Sequence, residues 1–371
     1  MRASSSPALL VTGATGLVGR GVVDRLLAAD PALHVVALVR DARRHAAIAT
    51  ASGWGTRVTP VIGDVTVPGL GIDAAARARL ARDVGAVLHC AADTAFSRPL
   101  DDARRTNTDG TRHLLDLVAD WATAPRFAYV STAFVAGRMT GDVMETAHDG
   151  EAGWVNGYER SKWEAEALVR AHANDWVVLR SSTIVGDHDG TVRQVNAVHR
   201  ALRVYHAGLA AMLPWAPGAA LDLVPGDWLC DAVARLALRE ESRGETYHLC
   251  AGAGALPVDE MLDRTWRAWT ATDPAWTRRM VARPALADLV TWLDFERAVK
   301  ATGNARLARV LSALSHFVPQ LALPKRFDTA RAVAALGAGP PAVRDYWDAM
   351  LASLAASGWA GARDESLERA A

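Results

Sequence analysis

The stretch NGYERSKWEAEALVR, residues 156–170, places Tyr158 and Lys162 four positions apart at the start of an expected helix. A free tyrosine ionises near ~10 and is a poor acid–base group at neutral pH. A lysine one helical turn away lies on the same face. Its ammonium favours the phenolate, lowers the tyrosine pKa, and suits the ribose hydroxyls of a nicotinamide cofactor. Such pairs also arise by chance, so partners are needed elsewhere. RFAYVST supplies them: it ends in Ser131 and Thr132, 26 residues before Tyr158, at an expected carboxyl strand end. A hydroxyl there shares a substrate oxygen with Tyr158. In this reading Thr132 orients, Tyr158 transfers the proton, and Lys162 tunes and positions. A nicotinamide gives or takes the hydride.

The nicotinamide needs a cradle, and TGATGLVG places Gly13, Gly16 and Gly19 directly after an apolar strand and at the head of a helix. Gly13 permits the tight turn, Gly16 lets the backbone approach a pyrophosphate, and Gly19 lets helix and strand pack closely. Thr12, Thr15, Leu17 and Val18 complete the expected binding turn, whose helix N-terminus faces the phosphates. An NAD site carries Asp or Glu at the end of the second strand. Here VVALVRDARR ends that strand at Arg40, with Arg43 and Arg44 a turn on and Arg20 past the glycine turn. Arginine suits a 2′-phosphate, so NADPH is the expected cofactor, with Asp41 as the counter-argument. Asp64 and Val65 of GDVT are placed for the adenine edge. Ala91 and Ala92 of HCAADTAF are small where backbone passes the cofactor, and Ser181 closes a later strand.

Near-continuous apolar strands are expected at Ala8 to Val11, His34 to Arg40, 57–66, 84–92, 126–132 and 175–182, and in ETYHLC near 245–250. Helical segments at Asp101 to Asp120, Ser161 to Ala173 and Leu229 to Arg239 lie between or after them. This alternation predicts an α/β fold, a Rossmann-type doubly wound parallel sheet covered on both faces. Beyond Gly252 the chain reads as helices and loops rich in tryptophan. The expected division is a dinucleotide-binding domain, 1–187 and 221–251, and a smaller, mostly helical substrate lobe, 188–220 and 252–371. RALRVYHAGLAAMLPWAPG (200–218) is a candidate wall for the substrate. Trp215, Trp266, Trp269, Trp276 and Trp292 read as packing residues, and His188, His199 and His206 as ordinary lobe residues. The tail GARDESLERAA is expected to fray.

Basic and acidic residues balance at 41 each, which gives no footprint for nucleic acid or an anionic membrane. Only three of the basic residues are lysines, which sharpens the reading of Lys162. Cys90, Cys230 and Cys250 lie far apart, with neither metal spacing nor a disulfide framework. MRASSSP is too short and polar for a signal peptide, and no run approaches ~20 apolar residues. A cytoplasmic protein is expected.

TGATGLVG, GDVT, NTDGT, STAFVAG and YERSK occur in the order and at the spacings of the extended short-chain dehydrogenase/reductases, over about residues 8 to 250. The resemblance implies Thr132, Tyr158 and Lys162 as the catalytic set. It implies a structural or proton-relay role for Asn107, for which a local helix hydrogen bond is the alternative. VLHCAADTAFS, YVSTAFVAG, LRSSTIVGD and LVPGDWLCDAV resemble most the thioester reductase and fatty acyl-CoA reductase-like branch. In the last of these, Val224, Pro225 and Asp227 match a Val-Pro-x-Asp pattern in which Gly226 replaces a bulky residue.

The resemblance implies hydride transfer from NADPH to the carbonyl of an acyl thioester, on coenzyme A or a carrier protein. Aldehyde and free thiol follow, or alcohol after a second hydride. A ketone or secondary-alcohol dehydrogenase and a nucleotide-sugar epimerase are the competing enzymes. A non-catalytic dinucleotide sensor fits poorly with retention of Tyr158 and Lys162. The chain is expected to act as a monomer or as a homodimer paired through the helices after NTDGT and YERSK. An apolar outer face on Trp163, Leu168 and Leu117 would support pairing.

Overall fold

The computed structural model describes residues 7–359. Both the opening hexapeptide and the tail expected to fray lie outside the described residues. Seven parallel strands form the central sheet: β1 (Ala8–Thr12), β2 (Val35–Val39), β3 (Val58–Ile62), β4 (Val84–His89), β5 (Arg126–Thr132), β6 (Asp175–Ser181) and β7 (Glu245–Leu249). Their spatial order is β7-β6-β5-β4-β1-β2-β3, so the chain winds outward in both directions from β1 and β4. β2 is a run of Val, Leu and Ala, and β1 is one up to Thr12, because both of their faces are covered. Successive side chains point to opposite faces. Leu9 and Val11 therefore join the core under α1 (Leu17–Ala29), while Leu10 joins the core on the opposite face. α2 (Ala42–Ser52), α3 (Ala74–Asp83), α4 (Leu100–Ala119) and α5 (Gly157–His172) make the remaining crossovers between the first six strands.

The helix expected from Ser161 begins four residues earlier, at Gly157, because Asn156 caps it. The Asn156 Oδ1 accepts from the Glu159 N–H at 3.0 Å, and the Glu159 carboxylate accepts from the Val155 N–H at 2.8 Å. The first bond satisfies a donor that the helix itself leaves free, and the second ties the residue before the cap to the same turn. The cap also places Tyr158 in the first turn.

The lobe has its own core, built from α6 (Ala197–His206), α8 (Val258–Thr272), the segment at Phe317–Leu321 and the helix Val343–Ala356. One part of the expected lobe lies elsewhere. Lys325–Phe327 pairs in parallel with Gly141–Val143, and the short helix Ala330–Leu336 packs Ala332 and Leu336 into the sheet domain's core beside α7 (Gly226–Ala237). Residues 325–336 therefore return to the dinucleotide-binding domain, a long-range pairing that local pattern does not carry.

Trp269, Trp276 and Trp292 are buried packing residues as expected; Trp266 is 37% exposed. His199 closes a capping box on α6, His206 packs among Trp269, Trp276 and Trp359, and His188 pairs with Asp227. Among the described residues no group of three or more His, Cys, Asp or Glu could hold a metal, and no helix is long and apolar enough to cross a membrane.

The α4–α5 surface differs from the apolar face that pairing asks for. Leu117 points into the core, Trp163 folds against Trp154, and Arg104 and Arg160 both reach Glu164, at 2.6 and 3.1 Å.

Candidate active site

The parallel sheet sets the carboxyl ends of β1 to β6 along one edge. In the glycine turn, Gly13 has φ +72°, and a Cβ there would lie 2.7 Å from the Ala91 nitrogen. At Gly19 a Cβ would lie 2.2 Å from the Gly13 carbonyl oxygen. These glycines let two backbones and a helix meet where no larger residue fits. Gly16 is the N-cap of α1, no side chain caps that end, and no acidic residue stands in its first turn. A helix start of this kind favours an anion. Thr15, Leu17 and Val18 are part-exposed beside it. Gly19→Ala is expected to abolish dinucleotide binding, read as loss of nicotinamide fluorescence enhancement, because backbone oxygen cannot retreat.

Arg40 is exposed at the end of β2, and so are Arg43 and Arg44. The Asp41 carboxylate, weighed against NADPH in the sequence, caps α2 with one oxygen, accepting from the Arg43 and Arg44 N–H groups at 2.8 and 3.1 Å. Arg20 donates to the Ser52 hydroxyl at 2.9 Å. The Asp64 Oδ1 accepts from the N–H and hydroxyl of Thr66, both at 2.9 Å, which shapes the turn after β3.

Four residues expected at the cofactor have other occupations. Thr12 is fully buried, and its hydroxyl lies 2.6 Å from His89 Nδ1 while accepting from the Ala91 N–H at 3.2 Å. Val65 is buried against Gly110 of α4. The Ser181 hydroxyl donates to the Ser182 carbonyl at 2.6 Å. Asn107 is 1% exposed; its amide donates to the Asp93 carbonyl and the Ser161 hydroxyl and accepts from the Asp93 N–H, all within 2.9 Å. Asn107 is thus a brace between the loop after β4 and α5, neither a local helix bond nor a group facing the cradle.

Thr132, Tyr158 and Lys162 come together beside the crevice, each no more than 7% exposed. Burial pushes the Tyr158 hydroxyl up to about 12, opposed by the hydrogen bond from Thr132. Phe96 contributes to that burial, its ring lying 5.3 Å from Tyr158 and stacking at 6.0 Å on Phe317 of the lobe. The expected lowering of Tyr158 by Lys162 does not occur in this state. The Lys162 ammonium donates instead to the Val130 carbonyl at 2.8 Å and sits 4.1 Å above the Tyr129 ring. Burial pulls Lys162 itself down to about 7, opposed by the charge of Glu166.

This depression has a measurable consequence. Between pH 7 and 10.5 the unfolded chain holds a proton that folded Lys162 sheds. The cost of burying the ammonium is therefore fully present below pH 7 and is relieved as pH rises towards the ordinary lysine value. Urea unfolding of the cofactor-free protein is expected to show this rise, and Lys162→Met to flatten it.

Two polar clusters behind the triad were not foreseen. Glu166, one turn past Lys162, is fully buried and clamped by Arg180 of β6 at 2.8 and 2.9 Å, with Arg170 at 2.9 Å. The Arg180 Nη1 lies 2.8 and 3.2 Å from His148 and His248 Nε2. Burial alone would raise Glu166, but the two arginines hold it down to about 2. The signal was present: an arginine inside the apolar run DWVVLRSS demands a buried partner. On the other side, Glu159 accepts from Gln320 at 2.6 Å, and Gln320 accepts from Lys325 at 3.0 Å, tying the Tyr158 turn to the lobe.

The glycine cradle and the uncapped helix start fit the phosphates of a dinucleotide. The NAD-binding family described as male sterility protein matches residues 11–233. An isonitrile lipopeptide synthase of Streptomyces coeruleorubidus is 35% identical over 205 residues, which is 50% of this chain and 14% of that protein. A hybrid PKS-NRPS synthetase of Thermothelomyces thermophilus is 29% identical over 62% of this chain and 6% of its own length. The chain thus spans a small part of the curated relatives it matches. Among solved structures, the terminal R domain of the myxalamid PKS-NRPS pathway superposes with a TM-score of 0.77 at 26% identity, covering 96% of this chain and 93% of that one. With the parallel sheet, the glycine cradle and this match over more than half its length, the chain belongs to the male sterility family of NAD(P)-dependent reductases, a branch of the extended short-chain dehydrogenase/reductases.

Proposed function

We propose that this chain is an NADPH-dependent reductase of an acyl thioester carried on coenzyme A or a carrier-protein arm. The observation that supports it best is the convergence of three buried side chains, Thr132 at the carboxyl end of β5 and Tyr158 and Lys162 one turn apart on α5, at the strand ends that also carry the glycine cradle. When bound, the reduced nicotinamide supplies a hydride. Thr132 and Tyr158 together present hydroxyls to the thioester carbonyl oxygen and stabilise charge developing there. Tyr158 delivers the proton to that oxygen. The hemithioacetal so formed breaks its C–S bond to release aldehyde and thiol. Lys162 leaves the Val130 carbonyl to hold the ribose and, beside the tyrosine, to favour its deprotonated form. Phe96, Phe134 and Phe317 exclude water over the tyrosine.

The test is incubation of purified protein with NADPH and acyl-CoA or acyl-pantetheine, recording nicotinamide oxidation and thiol release together. Coupled loss of NADPH and gain of thiol supports the reading. NADPH consumption by ketones without thiol release from any thioester overturns it in favour of a carbonyl reductase.

Arg40 is assigned the 2′-phosphate. A charge-assisted bond of about 1.5–3 kcal/mol corresponds to a rise of roughly 10- to 100-fold in the KM for NADPH on Arg40→Ala. The KM for NADH is expected to stay put, and steady-state kinetics with both cofactors reads the difference.

A further inference from the structure

Contacts from lobe residues 316–325 converge on the turn of α5 that carries Tyr158. The Asn156 Nδ2 donates to the His316 carbonyl at 3.2 Å. Phe317 stacks on Phe96, whose ring lies 5.3 Å from that of Tyr158. The Gln320 Nε2 donates to Glu159 Oε1 at 2.6 Å. The Lys325 ammonium donates to the Gly137 carbonyl and, at 3.0 Å, to Gln320 Oε1. These contacts reach the residues on either side of Tyr158 and none of the glycines of the cradle.

Glu159 is fully buried, and a buried carboxylate is costly unless it is bonded. Its bonds here all come from donors. Besides Gln320, Oε1 accepts from the Asn156 Nδ2 at 3.0 Å and Oε2 from the Val155 N–H at 2.8 Å. The Gln320 amide stands between this carboxylate and the Lys325 ammonium, which fixes its orientation. A carboxylate takes only N–H, and an ammonium takes only an oxygen. A flipped amide would set donor against donor and oxygen against oxygen.

We infer that Gln320, a side chain of the helical lobe, is a positioning residue for proton delivery: it holds the Glu159 carboxylate and, through it, the turn that carries Tyr158. The inference rests on the reading of Tyr158 as proton donor and on no particular carbonyl substrate. Seating of the lobe and placement of the donor are thereby one event. Burial, with the Glu159 charge adding to it, holds the Tyr158 hydroxyl up at about 12, so ionised Glu159 also helps to keep the donor protonated. Burial raises Glu159 itself to about 6, opposed by the bonds from Val155 and Gln320 and by the charges of Lys325 and Arg138. Below that pH the carboxyl gains a proton, yet Val155, Asn156 and Gln320 all present donors to it. The turn must then rearrange, and activity falls on the acid side. Without Gln320 the carboxylate is less well held, takes up its proton at higher pH, and moves that acid limb towards neutrality.

The test is Gln320→Leu, with the exchanged pair Glu159→Gln/Gln320→Glu as the rescue. In the exchanged pair the new amide donates to the new carboxylate, which still accepts from Lys325, and the net charge is kept. kcat is measured against pH with NADPH and octanoyl-CoA, and nicotinamide fluorescence reads dinucleotide binding. Gln320→Leu is expected to lower kcat about tenfold near neutral pH, the worth of one bond to a charged group. Its acid limb is expected to move up in pH, with dinucleotide affinity unchanged, and the exchanged pair to recover most of kcat. An unchanged kcat and acid limb overturns the inference. So does a loss that is equal at every pH and is not rescued, which marks Gln320 as packing alone. Turnover of octanal but not of octanoyl-CoA sinks the thioester reading, and the same comparison then runs on octanal. Should neither react, hydrogen exchange decides without substrate. Amides of residues 155–162 are expected to exchange faster in Gln320→Leu and to be slowed again in the exchanged pair, while those of β1 stay as they were. Unaltered exchange at 155–162 overturns the inference.

Discussion

Tyr158→Phe is expected to lower turnover by about 10²- to 10⁴-fold, the contribution of a positioned proton donor. Dinucleotide binding should survive, because the cradle is built from backbone at Gly13, Gly16 and Gly19 and from Arg40, none of which touches the phenol. The fold should survive as well. The Phe96 ring packs at 5.3 Å against the Tyr158 ring, and phenylalanine keeps that contact. The substitution removes only a hydroxyl that burial holds at about 12. Single-turnover measurement of NADPH oxidation, with nicotinamide fluorescence as the binding control, separates the two effects. Near-wild-type turnover in this variant would falsify the assignment of the proton donor. Thr132→Val should be milder in kind: the donor remains, but its orienting partner is gone.

The largest effect on stability is expected at Arg180. Both Arg180 and Glu166 are fully buried. Removing one partner leaves the other as an uncompensated buried charge, a loss of about 3–5 kcal/mol. Arg180→Leu should therefore shift the urea midpoint strongly downward. Arg170, still 2.9 Å from Glu166, limits the damage but cannot replace a two-pronged clamp. The double variant Arg180→Leu/Glu166→Leu should recover much of the loss, since replacing a buried pair by apolar groups is often neutral. A double variant no more stable than Arg180→Leu alone would mean that the arginine's contacts with His148 and His248 matter more than its pairing with Glu166. The cluster lies one helical turn behind Lys162, and the Glu166 charge opposes the loss of the lysine proton. Glu166→Gln should therefore leave Lys162 more readily deprotonated and weaken activity on the alkaline side first.

The legible parts of this molecule were those carried by local pattern. The six leading strands, the glycine turn and the Thr132–Tyr158–Lys162 spacing each depend on residues within one strand, one turn or one helix face. Period and turn chemistry specify such features without reference to the rest of the chain. The position of Arg40 was legible for the same reason, because it follows a strand whose place in the sheet follows from the motif before it. Asp41 was ambiguous in sequence, since an aspartate after a strand serves equally as a ribose ligand or a helix cap. Only the geometry of α2 separates the two.

What needed the tertiary structure was everything set by which surfaces meet. Thr12 and Asn107 sit inside cofactor motifs, yet their polar atoms are taken by His89, Ala91, Asp93 and Ser161, partners up to 79 residues away. Lys162 was correctly placed beside Tyr158, but its charge depends on burial and on a carbonyl from β5, neither of which spacing encodes. The Glu166–Arg180 pair, the Glu159–Gln320–Lys325 tie and the return of 325–336 to the sheet join segments that no period links. By itself the sequence determined the sheet, the glycine turn and the spacing of Thr132, Tyr158 and Lys162, because those are local in physics. The protonation states and the braces behind the site were decided by packing, because burial and long-range pairing belong to the assembled chain.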